Sequence, residues 1–387
     1  MTKIILKKNE EDRLLMGHSW VYNNEVFKIE GEIRSGDIVS VFSSKGEFLG
    51  KGFLNTYSKI FVRLITRENI EVDEALFFKL LNEANERRLE LGFSSHYRAF
   101  FGEADFIPGL IVDKYGDYLS IQVLSLGVEE RKEMFVRLLT QIFCPLGIYE
   151  RSDVSVRVKE GLSEFKGVLY GTVPDEITVV EQGLKIQIDI KNGQKTGAFL
   201  DQSENHFLVK KYAKGKVVLD SFSHIGQFAL HAKMAGASHV EAVDLSSAAC
   251  ERIKANAKLN NLDIDVINAN VFDYLRNQFA EGKKYDVVIL DPPAFTKNKD
   301  KLENAYRGYK EINIQAMKLI EKGGILITAS CSQHLTPALF FSMLEESAKD
   351  AHKTVQMIDF RIQSPDHPTL LGSEESLYLK LAVLRIF

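Results

Sequence analysis

From Ile4 to Thr66 apolar and polar residues alternate in short segments, IRSGDIVSVFSS, GEFLGKGFLN and KIFVRLIT, punctuated by Gly36, Gly46, Gly50 and Gly52. Alternation of period two presents one set of side chains to each face, and closely spaced glycines turn the segments back, so this stretch predicts a small β-barrel. The period then lengthens: 73–91 reads as a helix, with Asp73 as its N-cap and Gly92 as its stop. Residues 97–180 predict a small α+β module with a hairpin in GLIVDKYGDYLSIQVL that turns at Lys114–Asp117, a helix near Val128–Phe143, and strands around Ser155–Val158 and Gly167–Thr172. From about Thr178 the rhythm becomes strand, helix, strand: KVVLD, a helix Phe228–Ala235, HVEAVD, a helix Ser247–Leu259, DIDVINA, YDVVIL and GGILITAS. That alternation predicts an α/β, parallel, doubly wound sheet. The end differs, because only a loop with Pro365 and Pro368 separates TVQMIDFRI from LYLKLAVLRIF. A parallel crossover needs about a dozen or more residues, usually helical, so this pair is expected to be antiparallel. The expected domains are 1–70, 71–180 and 181–387, in line with about 100–200 residues per domain for a chain of 387.

Composition narrows the class without naming a function. Hydrophobic residues make up 45% and charged residues 26%, which sets aside disordered and fibrous chains. The net charge of -4 means that any polyanion would be held by a local basic face. Three cysteines, Cys144, Cys250 and Cys331, form no CxxC pair and fit a reducing, cytoplasmic compartment. The N-terminus lacks the apolar segment of a signal peptide, and no apolar run approaches the ~18–20 residues of a membrane span. No His/Cys cluster has metal-ligand spacing, so no metal is expected.

In an open α/β sheet ligands sit outside the carboxyl ends of the strands, so the residues there carry the functional reading. Asp220 closes one strand and Asp244 the next, 24 residues later, where an acid accepts hydrogen bonds from ribose hydroxyls. The intervening loop, SFSHIGQF, holds only Gly226, without the G-x-G-x-x-G that brings backbone against a pyrophosphate. A nucleoside without phosphates fits better than a dinucleotide, and a dehydrogenase is set aside. Downstream, Asp291-Pro292-Pro293-Ala294-Phe295 offers a short rigid segment with free carbonyls and a flat aromatic face. Ser330-Cys331-Ser332 ends the following strand and would bring a thiol to the same edge as Asp291.

These features resemble the class I S-adenosylmethionine-dependent methyltransferases. With GQKTGAFLDQSENH (Gly193–His206), YRGYKEIN (Tyr306–Asn313), DHP (Asp366–Pro368) and LYLK (Leu377–Lys380), the chain from His18 onward is similar to the bacterial 23S rRNA 5-methylcytosine methyltransferases. The resemblance implies an N-terminal PUA domain that binds ribosomal RNA, a central α+β domain, and a Rossmann-like catalytic domain. It implies S-adenosylmethionine at Asp220, Phe222, Ser223, Gly226, Asp244, Leu245, Asn270, Asp201 and Lys195. Cys331 would be the nucleophile that adds to carbon 6 of cytosine and Asp291 its partner at the base, with Pro292, Pro293 and Phe295 holding that base. Three positions depart from the family pattern. Ser203 and His206 stand where basic residues are expected, and Asn270 stands where many such enzymes carry an acid facing the adenine amino group. Two alternatives stay open: methyl transfer to an amino nitrogen, which needs no thiol, and an inactive RNA-binding assembly factor. The oligomeric state, a homodimer included, also stays open.

Overall fold

The computed structural model describes residues 2–296 and 299–387. The chain divides into two compact units, Met1–Val179 with Ile188–Leu200 and Pro365–Ser376, and Val180–Gln187 with Asp201–Ser364 and Leu377–Phe387.

The first unit contains two sheets. Six strands between Lys3 and Thr66 form one, antiparallel except where Lys3–Leu6 runs parallel to Ile38–Phe42. Five strands between His96 and Gly171 form the other. The helix between them spans Glu74–Glu90, and the Asp73 side chain accepts from the Leu76 amide at 2.9 Å, as its sequence position predicts. Two expected elements come out differently. The segment around Ser155–Val158 is a 3₁₀ helix, Ser155–Glu160, and no strand. The Arg157 guanidinium, 2% exposed, has to reach Glu129 and the carbonyl of Ser163, and this buried cation outweighs the alternating pattern of its neighbours. The helix near Val128–Phe143 is two helices, Leu126–Glu129 and Lys132–Phe143, interrupted where Arg131 turns its side chain onto the Gly36 carbonyl.

The second unit is built on seven strands: β1 Val217–Ser221, β2 His239–Asp244, β3 Asp265–Asn268, β4 Tyr285–Leu290, β5 Ile320–Ser330, β6 Val355–Arg361 and β7 Lys380–Ile386. Their order is β3-β2-β1-β4-β5-β7-β6. The first five are parallel, and β7 is antiparallel to both β5 and β6, as the short connection predicts. The helices are α1 Gln227–Met234, α2 Ser247–Leu259, α3 Val271–Ala280, α4 Leu302–Leu319 and α5 Pro337–Asp350. Strand β4 shows why its sequence, YDVVIL, is apolar almost throughout. Val288 and Leu290 pack with residues of α3, α4 and α5, whereas Val287 and Ile289 pack with residues of α1 and α2. Both faces of a parallel sheet are covered, so no polar alternation survives in it.

Leu290 is fully buried and ends β4 immediately before Asp291. Leu290→Ala should therefore lower the stability of this unit by about 2–5 kcal/mol. A thermal transition followed by circular dichroism that does not move would contradict the packing described.

Candidate active site

The register of the parallel strands assembles the site. Ser221 of β1 pairs with Leu290 of β4, and Leu290 pairs with Thr328 of β5, so the loop after β1, the Asp-Pro-Pro segment and Cys331 leave the sheet at one edge. The Asp291 amide donates to the Ser221 carbonyl at 3.4 Å. The Cys331 Sγ lies 4.0 Å from the Pro292 carbonyl oxygen. One carboxylate oxygen of Asp291 accepts from Gln202 Nε2 at 2.8 Å, and Gln202 is itself oriented by Asn205 Nδ2 at 2.7 Å. Gln202, at the N-terminal boundary of the short helix Ser203–Leu208, and Asn205 within that helix thus serve the site through two amides.

The loop after β1 is wound tightly. Phe222, His224 and Gly226 all have left-handed backbone, with φ of 64°, 52° and 88°. For the two residues with a Cβ such conformations cost about 1–3 kcal/mol each and persist only where the surroundings enforce them. Here the Ser223 amide donates to the Val243 carbonyl at 3.1 Å and the His224 amide to Asp244 Oδ2 at 2.9 Å. At Gly226 an added Cβ would fall 3.0 Å from the Ile253 Cγ2 of α2, so the isoleucine would have to shift, and the φ of 88° would strain any residue with a side chain.

Two acids behave differently. Asp220 is buried; its Oδ2 accepts from the Ser223 hydroxyl at 2.5 Å and the Ala229 amide at 3.1 Å, while its Oδ1 has no hydrogen-bond partner. Burial, reinforced by the nearby Asp291, pushes its carboxyl up to about 7. Asp244 is only half-buried and uses one lone pair on each oxygen, for His224 N and for Ser246 N at 2.8 Å. Its remaining lone pairs suit a ribose diol, and exposed Leu245 follows it. A buried orphan carboxylate oxygen and a diol-matched acid on adjacent strands fit a nucleoside bearing a cationic group.

Other expected contacts are placed as follows. The Asn270 oxygen caps α3 by accepting from the Phe272 amide at 2.9 Å, with one lone pair to spare. Asp201 is buried and ties this segment to the C-terminal strands, accepting from the Tyr378 hydroxyl at 2.8 Å through its carboxylate and from the Ser364 amide through its carbonyl. Lys195 belongs to the first unit, where its ammonium lies 4.4 Å from the centre of the Phe199 ring. His206, at a position expected to be basic, is buried beside Glu181 at 3.3 Å and edge-on to Phe228, and Ser203 bonds the Ser364 hydroxyl at 3.1 Å. Pro292 is buried and Pro293 exposed. Phe295 sits in an aromatic group with Tyr309, Phe272 and Phe222, at ring separations of 4.5, 5.9 and 6.4 Å. Gly308 of α4 lies under that ring, where a Cβ would be 3.1 Å from Phe295 Cδ2.

Sequence reading missed Gln202, His224, Tyr309 and Lys380 as individual residues. All four sit inside motifs already noted, but their parts depend on contacts in space, such as the Gln202 side-chain amide on Asp291 and the His224 backbone N–H on Asp244, that no residue type announces. Among the described residues no group of three His, Cys, Asp or Glu side chains is placed to hold a metal ion, and no helix is long and apolar enough to cross a membrane.

A sheet in this order with a reversed β7, acids at the carboxyl ends of β1 and β2, and a third acid directly after β4 defines a class I S-adenosylmethionine-dependent methyltransferase. The family description "S-adenosylmethionine-dependent methyltransferase" matches residues 166–377, and "PUA-like domain" matches residues 4–67. By these matches and by full-length relatives the chain belongs to the family of Ribosomal RNA large subunit methyltransferase I. The protein of that name from Aliivibrio fischeri (strain ATCC 700601 / ES114) is 40% identical over 391 residues, 99% of each chain, and that from Vibrio cholerae serotype O1 (strain ATCC 39541 / Classical Ogawa 395 / O395) is 40% identical over 386 residues, 97% of each. A structure described as a SAM-dependent methyltransferase from Streptococcus mutans shares the fold, with a TM-score of 0.84, 23% identity and 100% of each chain covered. A second structure with the same score and 24% identity, again over 100% of each chain, was solved in complex with SAH.

Two outcomes follow for the cofactor. Asp244→Ala should weaken S-adenosylmethionine binding at least tenfold, because charge-assisted bonds are worth ~1.5–3 kcal/mol each; unchanged affinity in calorimetry would remove Asp244 from the site. Asp220, raised to about 7, is partly protonated near neutral pH. A cation placed beside it lowers its pKa, so binding at pH 7 should release protons. The binding enthalpy should then vary with the ionisation enthalpy of the buffer, and should lose that dependence in Asp220→Asn.

Proposed function

We propose that this protein methylates carbon 5 of a cytosine in large-subunit ribosomal RNA through a covalent bond to Cys331. The observation that carries the reading is the thiol itself, on the residue directly after β5, the strand paired with β4, and 4.0 Å from the Pro292 carbonyl. Methyl transfer to an amino nitrogen has no use for a thiol at that point. The ribosomal substrate is supported by the names of the full-length relatives and by the PUA-like match at the N-terminus.

Carbon 5 of cytosine is a weak nucleophile. The Cys331 thiolate adds to carbon 6, forming the S–C6 bond while the electron pair of the C5=C6 double bond moves into the ring and makes carbon 5 electron-rich. Asp291, oriented by Gln202, accepts a hydrogen bond from the exocyclic amine or protonated ring nitrogen as the ring charge changes. The rigid Pro292–Pro293 segment and the Phe295 ring position the base. S-adenosylmethionine, when bound at Asp220, Asp244 and the loop after β1, supplies an electrophilic methyl group. Loss of the carbon 5 proton to a base then restores the double bond and expels the thiolate. We further propose that residues 1–70 add RNA affinity, that 71–180 form the central module, and that 181–387 carry the chemistry.

Cys331→Ala should retain cofactor and RNA binding and lose turnover by several orders of magnitude. With RNA carrying 5-fluorocytosine at the target, the wild type should stall as a covalent adduct visible on a denaturing gel, since fluorine does not leave as a proton. Normal cytosine methylation by the alanine variant, or no adduct in the wild type, would return Cys331 to packing and favour transfer to nitrogen.

A further inference from the structure

The proposed chemistry needs a thiolate, and an ordinary cysteine with a pKa of about 8.5 is mostly protonated at neutral pH. The surroundings of Cys331 contain a cation whose placement answers that need. Because β7 runs antiparallel to β5, its first residue lies at the same edge as the end of β5, and Ser330 is paired with Lys380. The Lys380 side chain is 1% exposed. Its ammonium donates to the Ser332 carbonyl at 2.6 Å and to the Tyr378 carbonyl at 2.8 Å. The lysine is thus fastened on both sides of the thiol, through Ser330 across the ladder and Ser332 along the chain.

Both acceptors are neutral. A buried ammonium held by two carbonyls is costly until an anion stands nearby. Burial draws Lys380 down to about 8, and Cys331 is the neighbour that acts in the opposite direction. Among the described residues Tyr309 of α4 also faces the thiol, and Tyr309 in turn faces Asp291 after β4. Neither of them brings a positive charge.

We infer that Lys380 is a positioning residue whose ammonium stabilises Cys331 as a thiolate, so that the nucleophile is charged before the RNA base arrives. The inference rests on the reading of Cys331 as the nucleophile, but its test does not depend on methyl transfer. No oxidant or co-reactant is involved: the thiol proton passes to solvent or to the amine, and the ammonium remains as the counter-ion.

The test is the pH dependence of Cys331 alkylation by iodoacetamide in the full chain, read by peptide mass spectrometry from pH 5.5 to 9.5. Wild type should show a midpoint at least about one unit below the ordinary thiol value of about 8.5. Lys380→Met should raise the midpoint by about one unit or more and slow alkylation at pH 7 about tenfold. Lys380→Arg should keep most of the depression. In methylation, Lys380→Met should lower kcat far more at pH 7 than at pH 9 and leave KM for RNA nearly unchanged. A wild-type midpoint at or above 8.5 overturns the inference without any variant, and so does a midpoint that Lys380→Met leaves in place. Those results would leave the nucleophile reading standing if the fluorinated substrate still forms its adduct. Conversely, methylation by Cys331→Ala would remove the nucleophile reading whatever the alkylation shows.

Discussion

The parallel pairing of β1, β4 and β5 is the constraint on which the rest of the site depends. Strand pairing places residues by register, and a slip of one residue turns every side chain to the opposite face. With Ser221 opposite Leu290, and Leu290 opposite Thr328, three chain segments distant in sequence leave the sheet together. The same register brings Lys380, the first residue of the reversed β7, beside the end of β5. The groups at this edge need no flexible loop to bring them together, because backbone hydrogen bonds have already done so.

That rigidity supports costly features. Asp220 is buried with an unpartnered oxygen, Lys380 is buried on neutral acceptors, and Phe222 and His224 hold left-handed backbone. Each would relax in a loosely packed chain. Here two apolar layers clamp the sheet, one built from α3, α4 and α5 and the other from α1 and α2, and the polar groups sit where these layers end. Stabilisation from the packed layers offsets local strain at the edge, which is how preorganised electrostatics is sustained.

The first unit uses charge in a different way. Arg63, from the strand Ile60–Thr66, donates to Glu160 at 2.8 Å and Glu103 at 2.9 Å, and Arg88 forms a buried pair with Asp105. Ion pairs buried to this degree are poor sources of net stability but penalise the loss of either partner heavily. They link segments that sequence periodicity treats as independent, and they explain why Ser155–Glu160 coils around Arg157 where alternation predicts a strand.

Local pattern alone determined a great deal in this protein. The alternation of strand and helix after Thr178 specified a parallel sheet, and the short connection before LYLK specified its reversed end, since both follow from periodicity and chain geometry. The strand-end positions of Asp220, Asp244, Asp291 and Cys331 were legible because a strand end is recognisable from its apolar run. The tertiary structure decided what no run of neighbouring residues encodes. Gln202 reaches Asp291 across 89 positions, and Lys380 reaches the carbonyl beside Cys331 across 48. Asn270 and Asp201, which the motif assigns to a ligand, are partly committed to a helix cap and to a tether. Hydrogen bonds and charges act over a few ångströms of space, and a sequence records only distance along the chain.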